Sequence, residues 1–297
     1  MLQLLIAGLT VGSEFALIAL GIHIILRATR VVNFAQGEFS IVGGLIALTC
    51  AEALHVNAWF ALAGATFAGF VLGLVFEIAV LRPAGRAGGE AGVTIATIGA
   101  VFVLLYGHAL IPGWGSDSHP LAGFGGPLNV VILSSSKGGG AIVQVQSLWV
   151  FALLLVALAA LYLFFERTYY GKAIRAAAEN PLGARLVGID VNSARAISVA
   201  LGIALAAYGG TIIGPITLVG GAAGFALTIK GFVAAIVGGL ESPAGCVAGG
   251  FVVGVLQVFL QSRMSYDVAD PLVYSVLLLM LLVRPQGLFG RRDAVRD

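Results

Sequence analysis

Few residues of this 297-residue chain can do chemistry, and most of those lie inside apolar stretches. Glu14 interrupts the first run, where a charged carboxylate at mid-membrane costs roughly 2.5–3.5 kcal/mol on insertion scales. Thr10, Glu14, Leu17 and Gly21 share one helical face by their spacing, so Glu14 is expected to look into a bundle or a wet cavity. There it either meets a substrate ammonium, stays protonated and hydrogen-bonded, or joins a structural pair. Asn33, Gln36 and Glu38 stand where an apolar run is interrupted. Their amides and carboxylate suit two tasks, capping the backbone of a broken helix or lining a polar path. His23, Glu77 and His108 read as interhelical hydrogen-bonders or snorkelling groups. Gly-x-Ser-x-Gly, His-Glu-x-x-His and paired-Asp patterns are absent from the spans, so no catalytic residue is assigned and an intramembrane enzyme is disfavoured. The four His are scattered and the two cysteines, Cys50 and Cys246, stand in or beside apolar runs, which fits buried thiols and no metal site.

Such residues need apolar elements to carry them. The chain is 59% hydrophobic and 10% charged, with a mean hydropathy of +1.03. Too few charges are available to cover a water-exposed globule, and the composition also excludes disorder. A net charge of +2 from scattered basic residues argues against a nucleic-acid partner. What remains is an all-α integral membrane protein, a polytopic bundle in contact with lipid.

Apolar segments fall near 4–26, 38–54, 58–81, 91–111, 147–165, 196–216, 227–240, 244–262 and 271–283, giving about 8–9 transmembrane helices. The 227–240 segment is short and ends in Gly238-Gly239, as a broken helix would. All but three of the 16 basic residues (Lys137, Lys230 and Arg263) can be placed on one side. The positive-inside rule makes that side cytoplasmic, with the N-terminus outside and the C-terminus inside. No basic stretch precedes the first run, so it reads as a span and not as a cleaved signal. Ile-Val-Gly-Gly-Leu occurs at 41–45 and again at 236–240, which points to an inverted repeat with broken helices along a solute path. Gly8-x-x-x-Gly12, Ala65-x-x-x-Gly69-x-x-x-Gly73 and Gly250-x-x-x-Gly254 suit close helix packing. The external loop 112–146 is Gly- and Ser-rich and reads as a loosely packed connector.

The cytoplasmic loop 166–195 is long for a connection between packed helices. Ala173–Glu179 forms one short helix; Asn180 caps a second that starts at Pro181 and stops at Gly188. Two such helices either present a compact surface to a soluble partner or rest on lipid headgroups.

The order Gly171-Lys172-Ala173-Ile174-Arg175-Ala176, Glu179-Asn180, Ala184-Arg185 and Gly188-Ile189 resembles the cytoplasmic loop of permeases from bacterial branched-chain amino-acid ABC importers. Ala16 to Gly21 with Val32-Asn33-Phe34-Ala35-Gln36-Gly37-Glu38 resembles the N-terminal signature of that family. Gly231-Phe232 through Gly249-Gly250 and the tail Arg284-Pro285-Gln286-Gly287-Leu288-Phe289-Gly290 agree in order, so the resemblance covers nearly the whole chain. It implies one transmembrane permease domain over 1–297 in the bacterial cytoplasmic (inner) membrane. Its function would be alternating-access import of branched-chain or similar hydrophobic amino acids. The partners it implies are two ABC ATPase subunits that bind ATP and Mg, a second related permease and an extracytoplasmic substrate-binding protein. Carried over, the coupling residues would be Arg175, Glu179, Asn180, Ala184, Gly188 and Ile189. Glu14, Asn33 and Gln36 are the candidate substrate path. Glu14 departs from the family pattern, in which that position is usually uncharged. Gly-x-x-x-x-Gly-Lys-[Ser/Thr] is missing, so no ATP, cofactor or metal is assigned to this chain itself. The alternative is an ion-gradient-driven secondary transporter or channel with Glu14 at its centre.

Overall fold

A computed structural model describes residues 1–124, 130–133, 141–284 and 286–289. Among them the elements run α1 (Leu2–Thr29), α2 (Gln36–Ala53), α3 (Ala58–Phe76), a π turn (Glu77–Leu81) and α4 (Arg82–Gly107). Then come β1 (Ser118–His119), β2 (Val130–Leu133), β3 (Ala141–Gln144), α5 (Val145–Arg167), α6 (Tyr169–Glu179), α7 (Pro181–Leu186) and α8 (Val191–Thr217). The last are β4 (Val219–Gly220), α9 (Gly224–Gly238), α10 (Pro243–Gln261) and α11 (Tyr266–Val283). Five stretches are long and apolar enough to cross a membrane: α1, Ala58–Leu110, α5, α8 and α10. The shorter apolar helices α9 and Val268–Val283 occupy the expected positions 227–240 and 271–283.

Small residues set the packing. An ideal Cβ on Gly12 would lie 2.8 Å from the carbonyl oxygen of Gly250, and one on Gly8 would lie 2.6 Å from Cα of Val255. Thus α1 and α10 touch backbone to backbone along the Gly8/Gly12 and Gly250/Gly254 stripes. The α3 stripe does the same against α8, where Gly73 faces Cα of Ala200 at 2.5 Å and Gly69 faces Cβ of Ala207 at 2.6 Å. Lipid tails are as apolar as side chains, so close van der Waals contact, not water exclusion, holds these pairs. α1 and α8 are the enclosed centre: Phe15 to Leu20 and Val199, Ala200 and Ile203 are all at most 2% exposed.

The pairing pattern is two-fold. α1 packs on α10 as α8 packs on α3, and α2 and α9 occupy equivalent places. The residues follow a constant separation of 188: Ala19 and Ala207, Gly21 and Gly209, Ile24 and Ile212, Thr29 and Thr217, Ile41 and Ile229, Gly43 and Gly231. A Cβ on Gly43 would press on Ala207, and one on Gly231 would press on Ile18 beside Ala19, so the same contact is made twice. Arg30 and Leu218, also 188 apart, end α1 and α8 with φ of 59° and 67°. The two Ile-Val-Gly-Gly-Leu strings do lie on the equivalent helices α2 and α9, but at different depths. One is in the first half of α2, whereas the other runs off the end of α9 to Gly239, whose φ is 107°.

Part of the loop at 112–146 is ordered, contrary to the connector expectation. β1 pairs antiparallel with β4, and β2 with β3. Trp114 Nε1 donates to Thr49 Oγ1 at 2.7 Å, and Leu121 is buried. Residues 125–129 and 134–140, which carry much of the Gly- and Ser-rich sequence, lie outside the described residues. Lys230 is buried in α9 and pairs with Asp270 of α11 at 2.9 Å. Glu77, in the π turn, lies 3.0 Å from Arg195 Nε and 3.9 Å from Arg82 Nε, with 1% of its side chain exposed. That ion pair ties the α3–α4 junction to the start of α8. His23 meets the carbonyl of Leu240 between helices, whereas His108 bonds back to Leu104 within its own helix.

Three substitutions test this packing. Gly250→Ala, whose Cβ would fall 2.5–2.7 Å from Ala16 atoms, is expected to destabilise the bundle by about 1–3 kcal/mol, read as a lower unfolding midpoint in detergent. Gly99→Ala, with open space around it, is expected to be neutral or stabilising by up to about 1 kcal/mol. Glu77→Gln leaves Arg195 without its counter-charge. With Arg195 partly exposed, a loss of about 1–3 kcal/mol is expected, below the range for fully buried pairs, and the same midpoint measures it.

Candidate coupling surface and buried polar centre

The loop between α5 and α8 folds as two short helices for readable reasons. Thr168 caps α6 by accepting from the Gly171 N–H at 3.0 Å, and Asn180 Oδ1 accepts from the Gly183 N–H at 2.9 Å at the start of α7, where Pro181 fills the first turn. Gly188 takes φ of 82°, a left-handed position that suits glycine after a helix end. Asp190 then caps α8. Its carboxylate accepts from the Ser193 hydroxyl at 2.6 Å and from the Asn192 N–H at 2.9 Å. These bonds favour the charged form and hold its pKa below the usual aspartate value, with the Ser193 hydroxyl the larger cause. The contribution to helix stability is therefore present above the ordinary aspartate range and is lost as pH falls through the lowered value.

One face of this hairpin is fixed. Ile174, Ala177 and Ala184 are buried together with Ala194 of α8, and Ile189 packs against them. Gly171 sits so close to Phe164 and Phe165 that a Cβ would collide with the α5 backbone. The opposite face is bare: Leu182, Leu186 and Val187 are 74%, 83% and 75% exposed. Of the six residues singled out from sequence, Ala184 and Ile189 belong to the fixed face, while Asn180 and Gly188 shape the turn. Arg175 is held within the chain by Glu166 at 2.5 Å and by the Phe165 carbonyl at 2.7 Å. Glu179 is exposed. The three bare aliphatic residues were not singled out, because an apolar residue in a loop has no legible side until the hairpin is folded.

The second centre lies where α1 breaks before α2 and α8 breaks before α9. Asn33 Oδ1 accepts from the Ala35 N–H at 3.1 Å, and Asn33 Nδ2 donates to Gln36 Oε1 at 3.1 Å. Gln36 Nε2 reaches across to donate to the Gly202 carbonyl at 2.6 Å. The Gly37 N–H donates to Thr228 Oγ1 of α9 at 2.8 Å. In return the Glu38 carboxylate, 1% exposed, lies against Gly224 at the first turn of α9, where the helix dipole favours negative charge. Each broken helix thus shields the start of the other. Asn33 and Gln36 spend their side chains on this junction. Glu14 is buried, facing Ser40 of α2 and the Lys230 charge.

Comparison with known proteins agrees with this arrangement. Residues 4–283 match the family model described as the permease component of branched-chain amino acid transport systems. The permease protein BraD of the high-affinity branched-chain amino acid transport system of Pseudomonas aeruginosa is 32% identical over 98% of this chain and 96% of its own length. The corresponding LivH proteins of Salmonella typhimurium and Escherichia coli K12 are each 28% identical over 98% of this chain and 96% of their own. A solved structure, PsaBC from Streptococcus pneumoniae in complex with Fab, matches 94% of this chain and 91% of its own with a TM-score of 0.51. Its 13% identity limits that likeness to the fold. A full-length family match, a bundle of apolar helices with paired breaks and a projecting two-helix loop lead to one assignment: this chain belongs to the family of branched-chain amino acid transport permeases.

Proposed function

We propose that the chain is the membrane-spanning subunit of an ATP-driven importer for branched-chain or similar hydrophobic amino acids. The observation that carries this reading is the α6–α7 hairpin, packed on α8 by one face and offering Leu182, Leu186 and Val187 by the other. A rigid lever with a bare aliphatic tip suits docking into a groove on a soluble subunit. An amphipathic hairpin serving only as a membrane anchor has no need of such firm seating. In this reading two ATPase subunits bind ATP and Mg and close beneath the hairpin, which moves the start of α8. The Glu77–Arg195 pair passes that motion to α3 and α4. The junction built from Asn33, Gln36 and Glu38, with Glu14 beside it, acts as the pivot on which the two repeats rock, so the solute moves along a path that these residues support.

A second related permease and an extracytoplasmic binding protein complete the proposed complex. The hairpin end faces the cytoplasm of a bacterial inner membrane, with the N-terminus outside, as the basic residues around the loops favour. Family names support branched-chain substrates; the reading extends to other hydrophobic amino acids because specificity rests with the binding protein as well.

Purification of the tagged chain from native membranes with mass spectrometry of bound subunits tests this directly. Leu186→Asp with Val187→Asp is expected to cost about 2 kcal/mol or more of docking energy, a loss of roughly thirtyfold in affinity. The ATPase should then disappear from the eluate while membrane insertion is unchanged. Arg175→Glu and Gly188→Trp are expected to uncouple transport from ATP hydrolysis by displacing α6 and straining the turn. Retention of the ATPase and full transport in all of these variants would overturn the coupling assignment. Glu14→Gln separates this mechanism from an ion-gradient carrier: ATP-driven uptake is expected to persist within about twofold, since Lys230 keeps Asp270 as its partner. Collapse of uptake in that variant alone would favour the gradient-driven carrier.

A further inference from the structure

A cavity of about 340 Å³ opens between α1, α5 and α6 and is bounded by the start of α10. Its walls are Leu20 and Ile24 of α1 and Leu158 and Leu161 of α5, with Phe165 above them. All its charged groups gather at the hairpin end: Arg27 in the last turn of α1, Glu166 at the end of α5 and Arg175 of α6. We infer that this groove holds one anionic phospholipid, its phosphate on Arg27 and its acyl chains along α1 and α5.

Three observations point to that occupant. The charges do not cancel: Glu166 is taken up by Arg175, whereas Arg27 makes no ion pair among the described residues. α10 also begins on the groove wall at Pro243, and its N-terminal dipole adds positive potential at the same end. The nearby His23 ring is already engaged by the Leu240 carbonyl. Second, Leu158 to Phe165 spans two helical turns, about 10 Å of aliphatic and aromatic wall, which a free phosphate would leave empty. Third, α5 is the least enclosed of the five long apolar stretches, with Leu155, Val156, Tyr162 and Leu163 all outward, so bilayer lipid reaches the groove sideways. Tyr162 stands at the mouth with an amphipathic ring suited to the headgroup level. The site is independent of which solute the protein moves.

Native mass spectrometry of the intact complex, titrated with phosphatidylglycerol or phosphatidylcholine of identical chains, tests the inference. Phosphatidylglycerol is expected to be retained at about fivefold lower concentration, the selectivity one arginine gives an anionic headgroup. Arg27→Gln should bring it to the phosphatidylcholine level, and Arg27→Lys should restore the preference with no change in mass distribution of the complex. Leu158→Trp, which fills the aliphatic wall, should lower retention of both lipids. Equal retention of the two lipids by the unmodified protein, or an unchanged preference in Arg27→Gln, would overturn the proposal. So would displacement of phosphatidylglycerol by millimolar inorganic phosphate, which would reduce the site to an anion pocket. Loss of a co-purifying permease from Leu158→Trp without any change in lipid would assign the groove to that partner instead.

Discussion

Inside a bilayer no water is available to satisfy a peptide group, so every break in a membrane helix must be repaired by protein. Two such breaks, after Thr29 and after Thr217, fall at corresponding places in the two repeats, and much of the architecture follows from how they are repaired. Asn33 closes the first turn on itself, Gln36 carries a hydrogen bond across to α8, and the Gly37 N–H of α2 reaches Thr228 of α9. None of these repairs works unless α1, α2, α8 and α9 lie within touching distance. The glycine and alanine stripes are what permit that distance. The repeated contact of Gly43 on Ala207 and Gly231 on Ile18 beside Ala19 shows the same solution used in both halves.

The halves are not identical copies. Glu38 in α2 corresponds to Ala226 in α9 by the 188-residue separation, and Val42 corresponds to Lys230. One half therefore supplies the carboxylate at the junction and the other supplies the buried cation. Lys230 answers to Asp270 on α11, so its charge ties α9 to α11. Such a pair contributes little net stability in a low-dielectric interior, but removing one partner leaves the other stranded. Its effect is to fix which helices are neighbours more than to hold them tightly.

Much of this was legible in the residues. Runs of about 20 apolar residues give spans because the bilayer fixes their length. Asn180-Pro181 and Gly188 give the hairpin because capping and left-handed turns have few sequence solutions. The inverted repeat was legible in kind but misplaced: Ile-Val-Gly-Gly-Leu is common chemistry in a Gly-rich chain, whereas the true register lies in dispersed pairs such as Ala19/Ala207 and Gly43/Gly231. The roles of Asn33 and Gln36 were half legible. Residue type allowed capping or path lining, and it could not place the bonds that the fold makes to the Ala35 N–H and the Gly202 carbonyl. The bare face of α7 was hidden because exposure is a property of the folded hairpin, not of Leu182, Leu186 and Val187 themselves.

The pairing of α1 with α10 has a consequence for biosynthesis. About 200 residues separate the end of the first helix from the start of the helix that covers its glycine stripe, roughly 10–40 s of translation at 5–20 residues per second. During that interval α1 is already out of the ribosome with Glu14 and a bare small-residue face, and neither Lys230 nor Gly250 has yet been made. Insertion of this helix is therefore a matter of custody as well as hydrophobicity. The nascent α1 must be kept at the translocation machinery or sheltered by α2 and α3 until the second repeat emerges to enclose it.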